Sequence, residues 1–149
     1  GFSNAARYQA LPAVLDYLTI WFGWNDAGYG TLGTIADTDP TASFYGGWNT
    51  VLPWLIQNYP TTKIGLIVPF VASAGHRSAV RAVGNKWGIP YLDLYAANTP
   101  FFYGKEDSVG VDPQVPTWRR AVFQANGAHP GSIGHAYLAT IVENFVRSL

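Results

Sequence analysis

The sequence contains no cysteine and no methionine. Without cysteine the chain has no disulfide framework, no thiol nucleophile and no thiolate metal site, although this absence leaves the cellular compartment open. Because the chain begins at Gly1 and lacks methionine, we expect it to be processed or to be part of a longer polypeptide.

Charge is also scarce. Charged residues make up 12% of the chain, and nine basic residues balance nine acidic ones, so the formal net charge is zero. A neutral chain lacks the basic excess that holds a polyanion, so we expect no nucleic-acid partner. No apolar run approaches the ~18 residues of a membrane span, and no signal peptide is visible. We therefore expect no membrane association either.

Apolar and aromatic residues are plentiful. The 149 residues suit a single domain spanning residues 1–149, and a hydrophobic content of 48% is typical of a globular chain. Aromatic residues reach 15%, with six Trp and nine Tyr. Such a surplus first indicates a well-filled core, because buried rings dominate packing energetics. The more specific interpretation is a groove in which rings stack on sugars.

Hydrophobic periodicity predicts an α/β domain. Apolar runs predict strands at 17–22, 63–70 and 89–94, and the first two have the near-continuous apolar character of strands covered on both faces. Helical spacing predicts helices at 5–15, where Pro12 interrupts or ends the helix, and at 41–59, 76–87 and 131–149. Strands that alternate with helices indicate a parallel sheet. The last helix should bury one apolar face, formed by Ile133, Leu138, Ile141, Val142 and Phe145.

The segment from 96 to 125 fits neither period. Long irregular segments inside compact domains are usually functional or disordered. We therefore treat this segment as a candidate part of the site and not as a further strand or helix.

Two polar clusters stand out against the apolar background. Residues 19–26, T-I-W-F-G-W-N-D, describe a buried strand that ends at Gly23 and presents Asn25 and Asp26. Ligands of open α/β sheets bind just beyond the carboxyl ends of the strands. The second cluster, N-G-A-H-P at 126–130, precedes the last helix. We expect the two clusters to meet in space.

The three histidines differ in context. His129 follows a turn of small residues and precedes Pro130, which makes it the strongest catalytic candidate. Taken alone, a loop histidine is more often structural or simply exposed. His135 is expected to hold the first turn of the last helix, and His76 to be solvated at the start of another. Their spacing does not match metal ligands, so we expect no metal.

The sequence resembles the SGNH (GDSL-type) hydrolases. G-W-N-D at 23–26 resembles their G-x-N-D block, and N-G-A-H-P-G-S-I-G-H at 126–135 resembles their closing block, D-G-x-H-P-x-x-x-G-H. The order of strands and helices between the blocks is also similar, over nearly the whole chain. The resemblance implies a flavodoxin-like three-layer α/β/α fold with two additional upstream strands. It also implies a serine esterase that needs no cofactor.

The resemblance also implies roles for individual residues. His129 would be the general base, Asn25 would donate its side-chain N–H to the oxyanion, and Gly23 would permit a tight turn. Gly1, in G-F-S-N, resembles the glycine of the family's second block, which supplies a backbone N–H. The family's nucleophile block, G-D-S, is absent. We therefore expect the nucleophilic serine on an upstream segment or on a separate chain.

The closing block departs from the family at one position. Asn126 stands where the family has an acidic residue that orients the imidazole. An amide accepts a hydrogen bond but adds no charge, and it can hold the wrong tautomer. Three outcomes stay open: a Ser-His dyad, a substitute carboxylate from Asp107 or Asp112, or an inactive protein.

The expected substrate is a small-molecule or carbohydrate ester. An acetylated carbohydrate is favoured because rings at Trp24, Tyr29, Tyr103 and Trp118 would stack on sugar faces. The location of the protein stays open, with an extracellular or virion-associated one favoured. The competing hypothesis is a catalytically inactive carbohydrate-binding or structural module of a larger assembly. It is favoured by the absent nucleophile.

Two further patterns carry less weight. V-A-S-A-G around Ser73 is vaguely like a nucleophile elbow, but its first glycine is missing and a helix cap is the simpler interpretation. Two of the three residues Asp26, Asp37 and Asp39 could be imagined as the carboxylate pair of a glycosidase, although loop aspartates normally cap turns.

Overall fold

The computed structural model describes residues 3–28, 30–70, 72–96 and 129–149. Three strands and four α-helices follow one another within these ranges. In chain order they are α1 (Ala5–Tyr8), β1 (Tyr17–Ile20), α2 (Phe44–Asn58), β2 (Lys63–Val68), α3 (Ala74–Trp87), β3 (Tyr91–Asp93) and α4 (Ser132–Ser148). None of these helices is long and apolar enough to cross a membrane.

The three strands form one parallel sheet in the order β1-β2-β3. Tyr17 of β1 pairs with Lys63, and Leu66 of β2 pairs with Tyr91. The central strand β2 is buried at five of its six residues, as its continuous apolar sequence predicts. Because the strands are parallel, their carboxyl ends lie at one rim of the sheet. The predicted parallel α/β arrangement is therefore confirmed.

Strand β1 is more exposed than the sequence suggests. Tyr17 and Thr19 are exposed and only Ile20 is buried, because β1 lies at the edge of the described sheet and pairs with β2 alone. Trp21 and Phe22, beyond the end of the strand, are 40% and 38% exposed. The prediction that both faces are covered is correct for β2 and wrong for β1.

Helices cover both faces of the sheet, which makes the domain three-layered. On one face, Leu52 and Leu55 of α2 and Val80 of α3 pack with Leu66 and Val68. On the other face, Ile67 packs with Leu94 and with α4, through Leu138, Ile141, Val142 and Phe145. Ile133 is instead 56% exposed, so its predicted burial is wrong. It lies in the first turn of α4, and the contacts of this helix with the core begin at Leu138.

Local capping signals determine several helix ends. The Ser73 hydroxyl accepts the His76 N–H at the start of α3, and Gly88 ends that helix at φ +65°. The predicted cap at Ser73 is confirmed. Helix α1 is short, as predicted, but it ends at Tyr8, before the interruption predicted near Pro12.

The loop aspartates cap turns, as predicted. The Asp37 carboxylate accepts the Thr34 N–H at 3.1 Å and the Ser43 hydroxyl at 2.8 Å. Asp39 accepts the Thr41 N–H at 2.8 Å. These hydrogen bonds lower the pKa of each carboxyl below its ordinary value, with those to Thr34 and Thr41 contributing most. Both side chains shape the loop that leads into α2.

Candidate active site

A cavity of about 600 Å³ opens beyond the carboxyl end of β1. Its wall includes Gly23, Trp24, Asn25 and Asp26, which follow the strand directly, and Ser3 from the start of the chain. Asn25 begins a 3₁₀ turn that runs to Gly28. The volume lies within the range of small-molecule sites, roughly 300–1,000 Å³. The position at a strand end is also where α/β sheets bind ligands.

Gly23 makes the turn at the strand end possible. Its φ is +131°, a conformation that residues with a Cβ rarely adopt. A Cβ placed there would lie 3.3 Å from the Pro69 side chain and 3.7 Å from the Phe44 ring. The chain therefore turns tightly against its neighbours and brings Trp24 and Asn25 to the cavity wall.

The polar side chains after Gly23 are available to a ligand. Asn25 is exposed and Asp26 is half-buried, and neither side chain hydrogen-bonds to any described residue. An unoccupied amide at a cavity wall can donate to a ligand oxygen. The described ranges contain no cluster of His, Asp and Glu side chains that could hold a metal ion.

His129 is exposed, two residues before the α4 N-cap Gly131, and it is not among the described residues that line this cavity. His135 is exposed in the first turn of α4, where its backbone N–H donates to the Gly131 carbonyl at 2.8 Å. The expected meeting of His129 with Asn25 stays a prediction.

Several predicted site residues fall outside the described ranges. These predicted site residues are Gly1, Tyr29, Tyr103, Asp107, Asp112, Trp118 and Asn126. The structure therefore gathers Gly23, Trp24 and Asn25 around one cavity, and the other roles rest on the sequence.

His76 is a buried residue that the sequence analysis placed in solvent. It is 6% exposed, and its Nδ1 lies 2.7 Å from the Ser73 hydroxyl. Its ring meets Phe44 edge-on at 4.8 Å between centroids, and its Cβ lies 3.9 Å from where a Gly23 Cβ would stand. The prediction of a solvated His76 is wrong, because this side chain folds back beneath the turn after β1. In the sequence, the S-x-x-H spacing from Ser73 to His76, which is typical of a helix cap, was the signal that could have predicted this position of His76.

Burial lowers the pKa of His76, and the nearby Asp26 charge opposes this shift only in part. Nε2 is buried and has no hydrogen-bond partner among the described residues. A protonated ring would therefore place a charge where Nε2 has no hydrogen bond to a described residue and the Asp26 charge compensates only in part.

The depressed pKa of His76 predicts acid sensitivity. The unfolded chain takes up the proton near pH 6.5, whereas the folded chain resists it, so the stability contribution is present above that pH and is lost below it. We expect the urea midpoint to fall between about pH 8 and about pH 5. His76→Gln should flatten this decrease, and His135→Gln, at an exposed site, should not. Equal slopes in all three proteins would contradict the prediction.

The structural comparisons point to one fold. No protein-family model and no curated protein sequence matches the chain. A protein from Lactobacillus plantarum superposes with a TM-score of 0.77 at 24% identity, over 97% of this chain and 73% of its own. A protein from Bacteroides ovatus described as a GDSL-like lipase gives 0.67 at 17% identity, over 99% and 60%.

A third structure agrees with these two. A protein from Chitinophaga pinensis described as a possible lipase gives a TM-score of 0.71 at 19% identity, over 99% of this chain and 77% of its own. This chain spans 60% of the Bacteroides ovatus protein and about three quarters of the other two. Together with the parallel sheet covered by helices on both faces, these similarities show that the chain has the three-layer α/β/α fold of the GDSL-like lipases.

Proposed function

We propose that the chain is the larger part of an SGNH-type ester hydrolase. The observation that carries this proposal is the free Asn25 amide at the wall of a cavity, at the carboxyl end of a strand in a GDSL-like fold. Asn25 supplies the N–H donor that an ester's carbonyl oxygen needs when it becomes negatively charged. A donor preset for this charge lowers the barrier by about 2.7–4 kcal/mol.

The remaining groups follow from the chemistry of acyl transfer. A serine on an upstream segment or a separate chain attacks the ester carbonyl, and His129 accepts its proton. The oxyanion forms beside Asn25, and the alcohol leaves with the proton from His129. Water then attacks the acyl-serine, and His129 accepts the proton of the water. His129 returns this proton to the serine as the acid is released. Asn126 orients His129 in a Ser-His dyad, or Asp107 or Asp112 supplies the carboxylate instead.

The substrate we propose is a small O-acyl ester, with an acetylated carbohydrate as the favoured class. The cavity wall holds the rings of Trp21, Trp24, Phe44 and Trp48 beside the free amide. Aromatic faces pack against the apolar faces of sugar rings, and a small acetyl ester is compatible with a cavity of about 600 Å³. The similarity of fold supports a hydrolase in general. The aromatic rings of the cavity wall are the reason for proposing a carbohydrate ester as its substrate.

The test uses the full-length polypeptide that contains this chain. We expect turnover of p-nitrophenyl acetate and covalent labelling by a fluorophosphonate, which reacts with activated serines. Absence of both would refute the hydrolase. That outcome would favour a non-catalytic carbohydrate-binding or structural module, a candidate supported by the observation that His129 is not among the described residues that line the cavity.

Asn25→Ala is expected to lower kcat by about 10²–10³-fold with little change in KM, because the donor acts on charge that develops only in the transition state. Asn58→Ala is the matched control. Asn58 is exposed on α2, and its amide donates to the Trp54 carbonyl at 2.8 Å, away from the cavity. A loss confined to KM would mean that Asn25 binds the substrate and does not stabilise the oxyanion.

A further inference from the structure

The cavity beside Asn25 carries a cation that the proposed mechanism does not use. Arg7, in the last turn of α1, is the one basic side chain among the described residues that line this cavity. Its guanidinium forms no hydrogen bond or ion pair with any other described residue. Asp26 lines the same cavity, but the two side chains do not approach within the 4.0 Å of an ion pair.

The surroundings of Arg7 favour an anionic partner. Trp21, Trp24 and Phe44 line the same space, so part of the cavity wall is aromatic. A guanidinium is planar, always charged and weakly hydrated, and its fork of N–H donors matches a carboxylate in two parallel hydrogen bonds. Arg7 is exposed, so a pair formed there stays in contact with water and is weakened by salt. The free cation is therefore suited to a carboxylate on the ligand.

The dimensions of the cavity allow one small ligand to contact both Arg7 and Asn25, because both residues line it. A cavity of about 600 Å³ is roughly 10 Å across, a distance that a ligand of drug-like size can span. Asp26 follows Asn25 in the chain and lines the same cavity, so its charge repels a carboxylate that approaches Asn25. A ligand that carries both an ester and a carboxylate is therefore oriented with its ester at Asn25 and its charge at Arg7.

We infer that the cavity selects esters that bear a carboxylate close to the ester group, and that Arg7 is the residue that determines this specificity. The inference rests on the proposed function, in which the reacting carbonyl lies at Asn25. The carboxylate of the substrate can lie on either side of the ester group. It lies on the acyl side in a monoester of a dicarboxylic acid, and on the alcohol side in an acylated hydroxy acid or sugar acid.

Binding of amide isosteres tests the inference without any need for turnover. N-methylsuccinamate places the carboxylate on the acyl side, and N-acetylalanine places it on the alcohol side. Their neutral counterparts are N-methylsuccinamide and N-acetylalaninamide. Tryptophan fluorescence reports occupancy, because Trp21, Trp24 and Trp48 line the cavity. We expect the anionic member of one pair to bind about tenfold more tightly than its neutral counterpart. The pair that shows this preference identifies whether the substrate carries its carboxylate on the acyl side or on the alcohol side.

Arg7→Gln should abolish the preference for the anion and leave binding of the neutral amides unchanged. Arg147→Gln is the matched control, because Arg147 is an exposed residue of α4 that pairs with Glu143 at 2.8 Å. Salt at about 0.5 M should weaken the anionic ligand alone. Equal affinities within both pairs, or a preference that survives Arg7→Gln, would overturn the inference.

The two proposals fail separately. Absence of ester turnover in the full-length polypeptide would remove the hydrolase and leave the measured carboxylate preference intact. Equal binding of anionic and neutral amides by a protein that hydrolyses p-nitrophenyl acetate would remove the role of Arg7 and leave the hydrolase intact.

Discussion

His129→Ala in the full-length polypeptide is expected to lower kcat for p-nitrophenyl acetate by about 10²–10⁴-fold, the usual contribution of a positioned general base. The serine would then lose the group that accepts its proton, whereas binding of the ester is preserved. Steady-state kinetics at neutral pH measure the effect. Imidazole added to the variant should restore part of the rate, because it can supply the missing base from solution.

His135→Ala is the control for this experiment. His135 belongs to the same closing block and is exposed in the first turn of α4, where its backbone N–H makes the helical hydrogen bond and needs no side chain. We expect its kcat to remain close to that of the unaltered protein. If His129→Ala were equally active, the base would have to be another residue, and the resemblance of the closing block would have misled the assignment.

Gly46→Ala is expected to lower the free energy of unfolding by about 3 kcal/mol. Gly46 is buried in the first turn of α2, and a Cβ there would lie 1.9 Å from the Asp39 carbonyl oxygen and 2.7 Å from the Asp39 carbonyl carbon. Both atoms belong to the backbone, so no rotation of a side chain relieves the clash. Helix propensity alone predicts the opposite sign, a gain of about 1 kcal/mol.

Urea unfolding with an unchanged slope measures this loss. Gly47→Ala is the matched control, one residue later in the same helix. Its Cβ would meet only the Ser3 side chain, at 3.3 Å, so we expect a change within about 1 kcal/mol. Gly46→Ala should also disturb ligand binding, because Pro40, Thr41 and Ala42 follow Asp39 and line the cavity. A Gly46→Ala protein as stable as the original would mean that the loop before α2 shifts freely.

The strongest local signals identified their elements correctly. The apolar run at 63–70 contains the buried strand β2, and the serine and glycine that bound α3 occupy its N-cap and C-cap. These features depend on interactions within a few residues of each other. A hydroxyl that accepts the N–H three residues ahead, or a glycine at positive φ, is readable without knowledge of the rest of the chain.

The burial of single side chains was less predictable. The exposure of Tyr17 follows from the position of β1 at the sheet edge, and the burial of His76 follows from its packing beneath the turn at Gly23. The strand that pairs with β1 is distant from Tyr17 in sequence, and the turn at Gly23 is distant from His76. A helical period identifies an apolar face, but it does not tell where contact with the sheet begins, which is why Ile133 was misplaced.

By itself, the sequence determined the α/β class, the parallel order of β2 and its neighbours, and the polar residues that end β1, because periodicity and capping are local properties. Only the tertiary structure decided that Asn25 shares a cavity with Arg7, since Tyr8 of α1 and Ile20 of β1 pack into one core cluster. Packing beneath the turn at Gly23 buried His76, whose Nε2 has no hydrogen-bond partner among the described residues. The free energy that sets such contacts comes from apolar surface removed from water by residues distant in the chain.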